Sequence, residues 1–113
     1  MGSDTNGPFY SRAYRFDLKM PIFLDLPEGR VKGRSLDVSE SGMLAFFEQP
    51  LDVWLTGRLS AVIGGWQISI NVRVARVDGR KTGLNFLVGS RGDLVTIQKL
   101  IELAANQPLK YGT

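Results

Sequence analysis

The chain has no cysteine and no histidine among its 113 residues. The first absence excludes disulfides, thiolate metal sites and cysteine nucleophiles. The second excludes imidazole ligands and histidine-based acid–base catalysis. An enzyme would have to work with carboxylates, lysines and hydroxyls alone, and no convergent pair of carboxylates stands out. A carboxylate-based hydrolase is therefore set aside, and a non-enzymatic role with no cofactor is expected. No stretch approaches the ~18 apolar residues of a membrane span, and the polar opening run "MGSDTNGPFYSRAYRF" lacks the apolar segment of a signal peptide. No membrane insertion and a cytoplasmic location are the expectations. Charge of one sign is also scarce: 14 basic and 11 acidic side chains leave a net +3. That excess suits an anionic partner but falls far below the basic stripe of a dedicated nucleic-acid binder.

What is present is a series of short apolar-alternating segments, in a chain long enough for one domain. Residues 1–10 form a Gly/Ser/Asn-rich arm, residues 11–107 the domain, and 108–113 a tail. "LKMPIFLDL" (18–26) reads as a first strand; Pro21 cannot donate to a ladder, which argues for an edge or bulge position. "LPEGR" supplies turn chemistry, then "VKGRSLDV" and "MLAFFE" read as strands, and "TGRLSAVI" as a fourth. Gly64–Gly65 marks a tight hairpin into "WQISINVRV", where Trp66, Ile68, Ile70, Val72 and Val74 share one face. Val77 falls off that register, which predicts a bulge near Ala75–Arg76. Asp78–Gly79 signals a second tight hairpin into "TGLNFLV".

The period then changes. In residues 91–106, Leu94, Ile97, Ile101 and Ala104 lie on one helical face, widened by Leu100, with Ser90 and Asp93 spaced as an N-terminal cap. The fold expected is mainly β: a small six-stranded antiparallel barrel over about 18–88, with one C-terminal amphipathic helix. Phe46, Phe47 and Trp54 read as core or lid packing.

One stretch is not explained by strand patterning. "DVSESG" sets Asp37, Ser39, Ser41 and Gly42 within six residues between two strands. Read alone, it is a turn whose Asp and Ser bond their own backbone. It also offers groups a ligand could use: a carboxylate that accepts N–H bonds, a serine hydroxyl that donates or accepts, and a glycine that permits positive φ or close backbone approach. Upstream, Arg12 and Arg15 carry guanidinium forks that can pair bidentately with an anion or stack on a flat ring. Arg34, beside the motif strand, reads as a surface charge.

Together these residues resemble the PilZ domain family, bacterial receptor modules for cyclic di-GMP. "DVSESG" is similar to that family's D/N-x-S-x-x-G element, and "SRAYRFDL" stands where its R-x-x-x-R element belongs, with 21 residues between Arg15 and Asp37. "GLNFL" (83–87) looks like the family's G-h-x-F strand. The resemblance covers residues 11 to 106 and implies a PilZ-like split barrel. It also implies that Ser11, Arg12, Arg15, Asp37, Ser39, Ser41 and Gly42 bind one cyclic di-GMP or a stacked pair. The arginine element departs from the pattern: Arg12 and Arg15 are three apart, which leaves Ser11 at the first arginine position.

By the family's logic, ligand orders the arginine-bearing arm and the signal passes to an unidentified effector protein in motility, exopolysaccharide or biofilm control. The chain itself would be a monomer or weak homodimer. Two alternatives stand beside this one. The first is a degenerate PilZ-like interaction module that does not bind the nucleotide. The second is a small nucleic-acid-binding barrel, disfavoured because its arginines are scattered and no strand interleaves them with aromatics.

Overall fold

The computed structural model describes residues 14–106. Seven strands and one helix follow in order: β1 (Phe16–Asp17), β2 (Pro21–Leu26), β3 (Gly29–Val38), β4 (Gly42–Phe47), β5 (Thr56–Ile63), β6 (Trp66–Asp78), β7 (Lys81–Phe86) and α1 (Arg91–Ala105). Six of them, in the order β3-β2-β5-β6-β7-β4, form an antiparallel sheet that a β3–β4 pairing closes into a barrel. Closure leaves no long unpaired edge, which is how a small β domain avoids pairing with its neighbours. The mainly β barrel with its C-terminal helix is thus the fold the patterning predicts. The two-residue strand β1 was not expected. It runs beside the end of β3, where Phe16 faces Val38 and Asp17 faces Asp37.

Alternation fills the barrel. Ile22 and Leu24 of β2, Val31 and Val38 of β3, Met43, Ala45 and Phe47 of β4, and Ile70, Val72 and Val74 of β6 all face inward and are buried. The predicted bulge in β6 is present: Val74 pairs with Leu84 and Arg76 with Gly83, so Ala75 is the extra residue. Trp66 keeps the parity of its row but sits at the barrel's mouth, largely exposed, with the Lys99 ammonium 4.5 Å from its ring centroid. Pro21 starts β2, and β2 is an interior strand rather than an edge. The β5 pairing covers only Phe23–Asp25, so Pro21 needs no donor on that side.

The turns obey their glycines, with one shift. Gly64 and Gly65, at φ of 54° and 85°, form the two-residue loop between β5 and β6. Between β6 and β7 the loop is Gly79–Arg80, not Asp78–Gly79; Asp78 still pairs with Lys81, and Gly79 takes the positive φ of 63°.

The helix begins with a reciprocal capping box: the Asp93 N–H donates to Ser90 Oγ, and the Ser90 N–H donates to Asp93 Oδ2. Ile97, Leu100 and Ala104 are buried against the barrel. Leu94, expected on that face, is exposed, as are Arg91, Gly92 and Val95 around it in the first helical turn. Phe47 is core as expected. Phe46 points outward under the Arg80 guanidinium at 4.9 Å, and Trp54 is 70% exposed, so neither packs inside. The arm of residues 1–10 and the tail of 108–113 lie outside the described residues.

Candidate functional site

The motif is built on a bulge. In β3 the odd positions Val31 and Ser35 face inward, and simple alternation would turn Asp37 inward too. Instead Ser35 pairs with Ala45 and Asp37 with Leu44 on β4, leaving Leu36 as an extra residue. That insertion resets the parity: Val38 drops into the core and Asp37 comes to the outer surface. A carboxylate at an inward position of this barrel would be desolvated without a partner, so the bulge keeps the chemistry on the outside.

Ser35 stabilises the same region from within. It is fully buried; its hydroxyl donates to the Leu18 carbonyl and accepts from the Met20 N–H at 3.1 Å. Those two groups lie in the break between β1 and β2, where no regular ladder would satisfy them. One hydroxyl thus splices the two short strands onto β3 and sets β1 alongside Asp37.

Arg15, just before β1, is the consequence. Its Nε donates to Asp37 Oδ1 at 2.8 Å, and its Nη2 approaches the same oxygen at 2.6 Å. Since Asp17 faces Asp37 directly, Arg15 is the diagonal neighbour, and its charge offsets what would otherwise be two carboxylates side by side. The side chains are 49% and 20% exposed, so the pair borders solvent.

The three residues between β3 and β4 form a self-bonded turn. The Ser39 N–H donates to the Gly42 carbonyl at 2.8 Å, the Ser41 N–H donates to Ser39 Oγ at 3.3 Å, and the two serine hydroxyls are 3.1 Å apart. Ser39 is fully buried, so its hydroxyl holds the turn rather than facing solvent; Ser41 is exposed. Gly42 has no positive φ. Its requirement is close approach, since a Cβ there would run into the Leu84 carbonyl of β7 and lie 3.3 Å from Asn85 Cα.

Across the outer face, cross-strand pairing lines up rows of side chains. One row runs Asp37, Leu44, Gly83, Arg76; the next runs Gly42, Asn85, Arg73. Arg15, Gly42, Leu44, Arg76, Gly83 and Asn85 line a shallow concavity of about 270 Å³ between them. Its floor is glycine, its rim carries two guanidiniums, and Asn85 offers an amide that both donates and accepts. This arrangement suits a flat, anionic, hydrogen-bonding ligand. Arg76 and Asn85 were not singled out from the sequence; the signal was the bulge at Ala75, which turns Arg76 outward opposite Gly83.

The structure therefore brings Arg15, Asp37 and Gly42 together, uses Ser39 in the turn, and places Ser41 at the exposed tip. Ser11 and Arg12 lie outside the described residues. Arg34 sits on the outer surface opposite Phe46, as expected. Among the described residues no cluster of acidic side chains could hold a metal ion, and no helix is long and apolar enough to cross a membrane. A larger concavity of about 680 Å³, shared by the β5–β6 hairpin and the end of α1, has no residue in common with the motif; Val62 and Trp66 lie exposed on it.

Comparison with known proteins agrees with this fold. No curated protein matches the chain. A solved PilZ domain of CeSA, from a cellulose-synthesizing bacterium, superposes with a TM-score of 0.71 at 14% identity, over 80% of this chain and 98% of that one. The Bacillus subtilis inhibitor of motility, MotI/DgrA, superposes with a TM-score of 0.67 at 18% identity, over 89% of this chain and 54% of that one. The PilZ domain profile itself matches residues 10–103, and on that match the chain belongs to the PilZ domain family, a family of cyclic di-GMP-binding modules.

Proposed function

We propose that this domain is a cyclic di-GMP receptor without catalytic activity, seating the nucleotide on the outer barrel face between Asp37 and Arg76. The observation that carries the reading is the Arg15–Asp37 pair, whose arginine lines a concavity with Gly83 and Arg76. Asp37 accepts from the N1/N2 edge of one guanine. Arg15 and Arg76 hold the phosphates or the O6/N7 edge, and the missing Cβ of Gly83 lets the planar ring approach the backbone. Ser39 and Ser41 act through the turn that fixes the end of β3. Arg12, and Ser11 at the position where the family's first arginine stands, complete the site from the arm. Closing of that arm over the ligand is the signal, read in the cytoplasm by an effector protein governing motility, exopolysaccharide or biofilm formation.

A second reading is favoured by one observation. Ser11 stands where the first arginine belongs, and loss of one charge-assisted bond weakens binding by roughly ten- to a hundred-fold. On that reading the domain is an interaction module that no longer takes the nucleotide, and the apolar concavity beside α1, with exposed Val62 and Trp66, is its working face.

Isothermal titration with cyclic di-GMP, with GMP as control and an Asp37→Ala variant alongside, separates the two. Saturable heat lost in the variant and absent with GMP supports the receptor. No heat at high micromolar ligand rejects it in favour of the interaction module.

A further inference from the structure

Trp54 lies in the loop between β4 and β5 and combines two unfavourable features. Its φ of 76° is the only left-handed value at a non-glycine position among the described residues, and its side chain is 70% exposed. A bulky residue in that region is strained, and a glycine would adopt the same backbone freely. The conformation is held from outside: the Trp54 N–H donates to the Val74 carbonyl at 2.8 Å, and the Val74 N–H donates to the Leu55 carbonyl at 2.7 Å. These bonds clamp the loop to β6 just beyond the Thr56–Arg73 pair. The indole does not repay the strain by packing in the core. It stands on the outer face with the Arg73 guanidinium 5.9 Å from its ring centroid.

Its position connects it to the candidate site. Arg73 pairs with Asn85, and Asn85 with Gly42, so a single cross-strand row leads from the motif glycine towards Trp54. The third step of that row is Thr56 of β5, which pairs with Arg73 two residues after Trp54. Arg73 pairs with Asn85 and stands two residues before Ala75, and both of those residues line the concavity. A dinucleotide whose first base is read at Asp37 carries a second purine at its far end. That base needs a π surface more than it needs another hydrogen-bonding edge.

We propose that Trp54, backed by Arg73, is the stacking platform for the second base of a bis-purine cyclic dinucleotide. The proposal rests on the receptor reading and deepens it: Asp37 selects guanine, whereas Trp54 supplies affinity that depends little on base identity, because every purine has a stackable face. The strained backbone is then part of the site, aiming the indole along the barrel surface rather than into it.

The test uses the full chain titrated with cyclic di-GMP. Trp54→Gly should bind about ten- to a hundred-fold more weakly yet melt no lower than wild type, since glycine relieves the strain. Trp54→Phe should keep most of the affinity. In a Trp66→Phe background, where Trp54 is the only tryptophan left of the two, ligand should quench its emission. Unchanged affinity in Trp54→Gly, or emission indifferent to ligand, overturns the platform and leaves the receptor reading standing. A weakened Trp54→Gly that also melts well below wild type assigns Trp54 to the scaffold and overturns the platform too. Absence of binding by wild type overturns the platform and the receptor reading together.

Discussion

Arg15 places both Nε and Nη2 on the same oxygen of Asp37, Oδ1, at 2.8 and 2.6 Å. The two residues proposed to hold the nucleotide thus also hold each other. Such a pair, half-exposed at the arginine end, is worth only about 0–1 kcal/mol to the fold. It can therefore be exchanged for ligand contacts at little cost. It also keeps the carboxylate and the guanidinium oriented at the rim, so that less order has to be created on binding.

The first prediction follows from that weakness. Arg15→Ala and Asp37→Ala should each move the urea midpoint by the equivalent of no more than about 1 kcal/mol, while each weakens cyclic di-GMP binding by roughly ten-fold or more. The double variant should lose less in binding than the two single losses combined, since the pair shares its work. Simple additivity in titration calorimetry would show that the two residues act apart.

The two glycines of the site should respond oppositely. Gly42→Ala drives a methyl group into the Leu84 carbonyl, a backbone atom that cannot swing aside. A loss of about 1–3 kcal/mol or more is expected, seen as a lowered melting temperature. At Gly83 the nearest atoms to an added Cβ are Arg76 Cβ at 3.5 Å and Nε at 3.8 Å, which is ordinary contact. Gly83→Ala should therefore melt close to wild type but raise the groove floor beneath Arg76 and weaken ligand binding. Equal melting temperatures for the two variants would contradict the close approach inferred at Gly42.

Ser35→Ala tests the splice between β1 and β2. The substitution leaves the buried Leu18 carbonyl and Met20 N–H without the hydroxyl they share. An orphaned buried polar group costs about 1–3 kcal/mol. Because the splice seats β1, amide exchange should quicken first around Phe16 and Asp17, ahead of the barrel strands. Uniform acceleration across β2 to β7 would show that Ser35 supports the whole barrel rather than this junction.

Much of this was readable in the chain. Period-two alternation marked six strands, and Val77 falling out of step announced the β6 bulge that turns Arg76 outward. The change to helical spacing after Ser90 gave α1 and its cap. What could not be read depends on contacts distant in sequence. The Leu36 bulge leaves no trace in alternation, because Ser35, Leu36 and Asp37 fit either parity until β4 pairs beside them. Barrel closure through β3 and β4, which brings Asp37 beside Leu44 and hence near Gly83, is a property of the ring and not of any segment. Trp54 and Phe46 were read as packing from their residue type, yet the barrel is filled by Phe47 and its neighbours before either could enter. Within the motif, Ser39 belongs to the turn, and the bulge turns Asp37 to the outer face beside Arg15.

The last prediction concerns pH and lies away from the site. Asp25 and Arg30 face each other across β2 and β3, with Nε to Oδ1 at 2.7 Å and Nη2 to Oδ2 at 3.0 Å. The hydrogen bond from Arg30, reinforced by its charge, holds the Asp25 carboxyl below its ordinary value of 3.8, against a smaller opposing effect of desolvation. A carboxylate with a lowered folded-state pKa adds stability that is present above the unfolded value and disappears as pH falls through the folded one. Asp25→Asn should therefore be less stable than wild type near neutral pH, and the gap should close below about pH 4. Both groups are open to solvent, so the gap should be small and should shrink as salt is added. Urea midpoints of the two proteins, taken across the acid range at low and high salt, measure it. A gap that widened towards acid would mean that Asp25 is destabilised, not stabilised, by its surroundings.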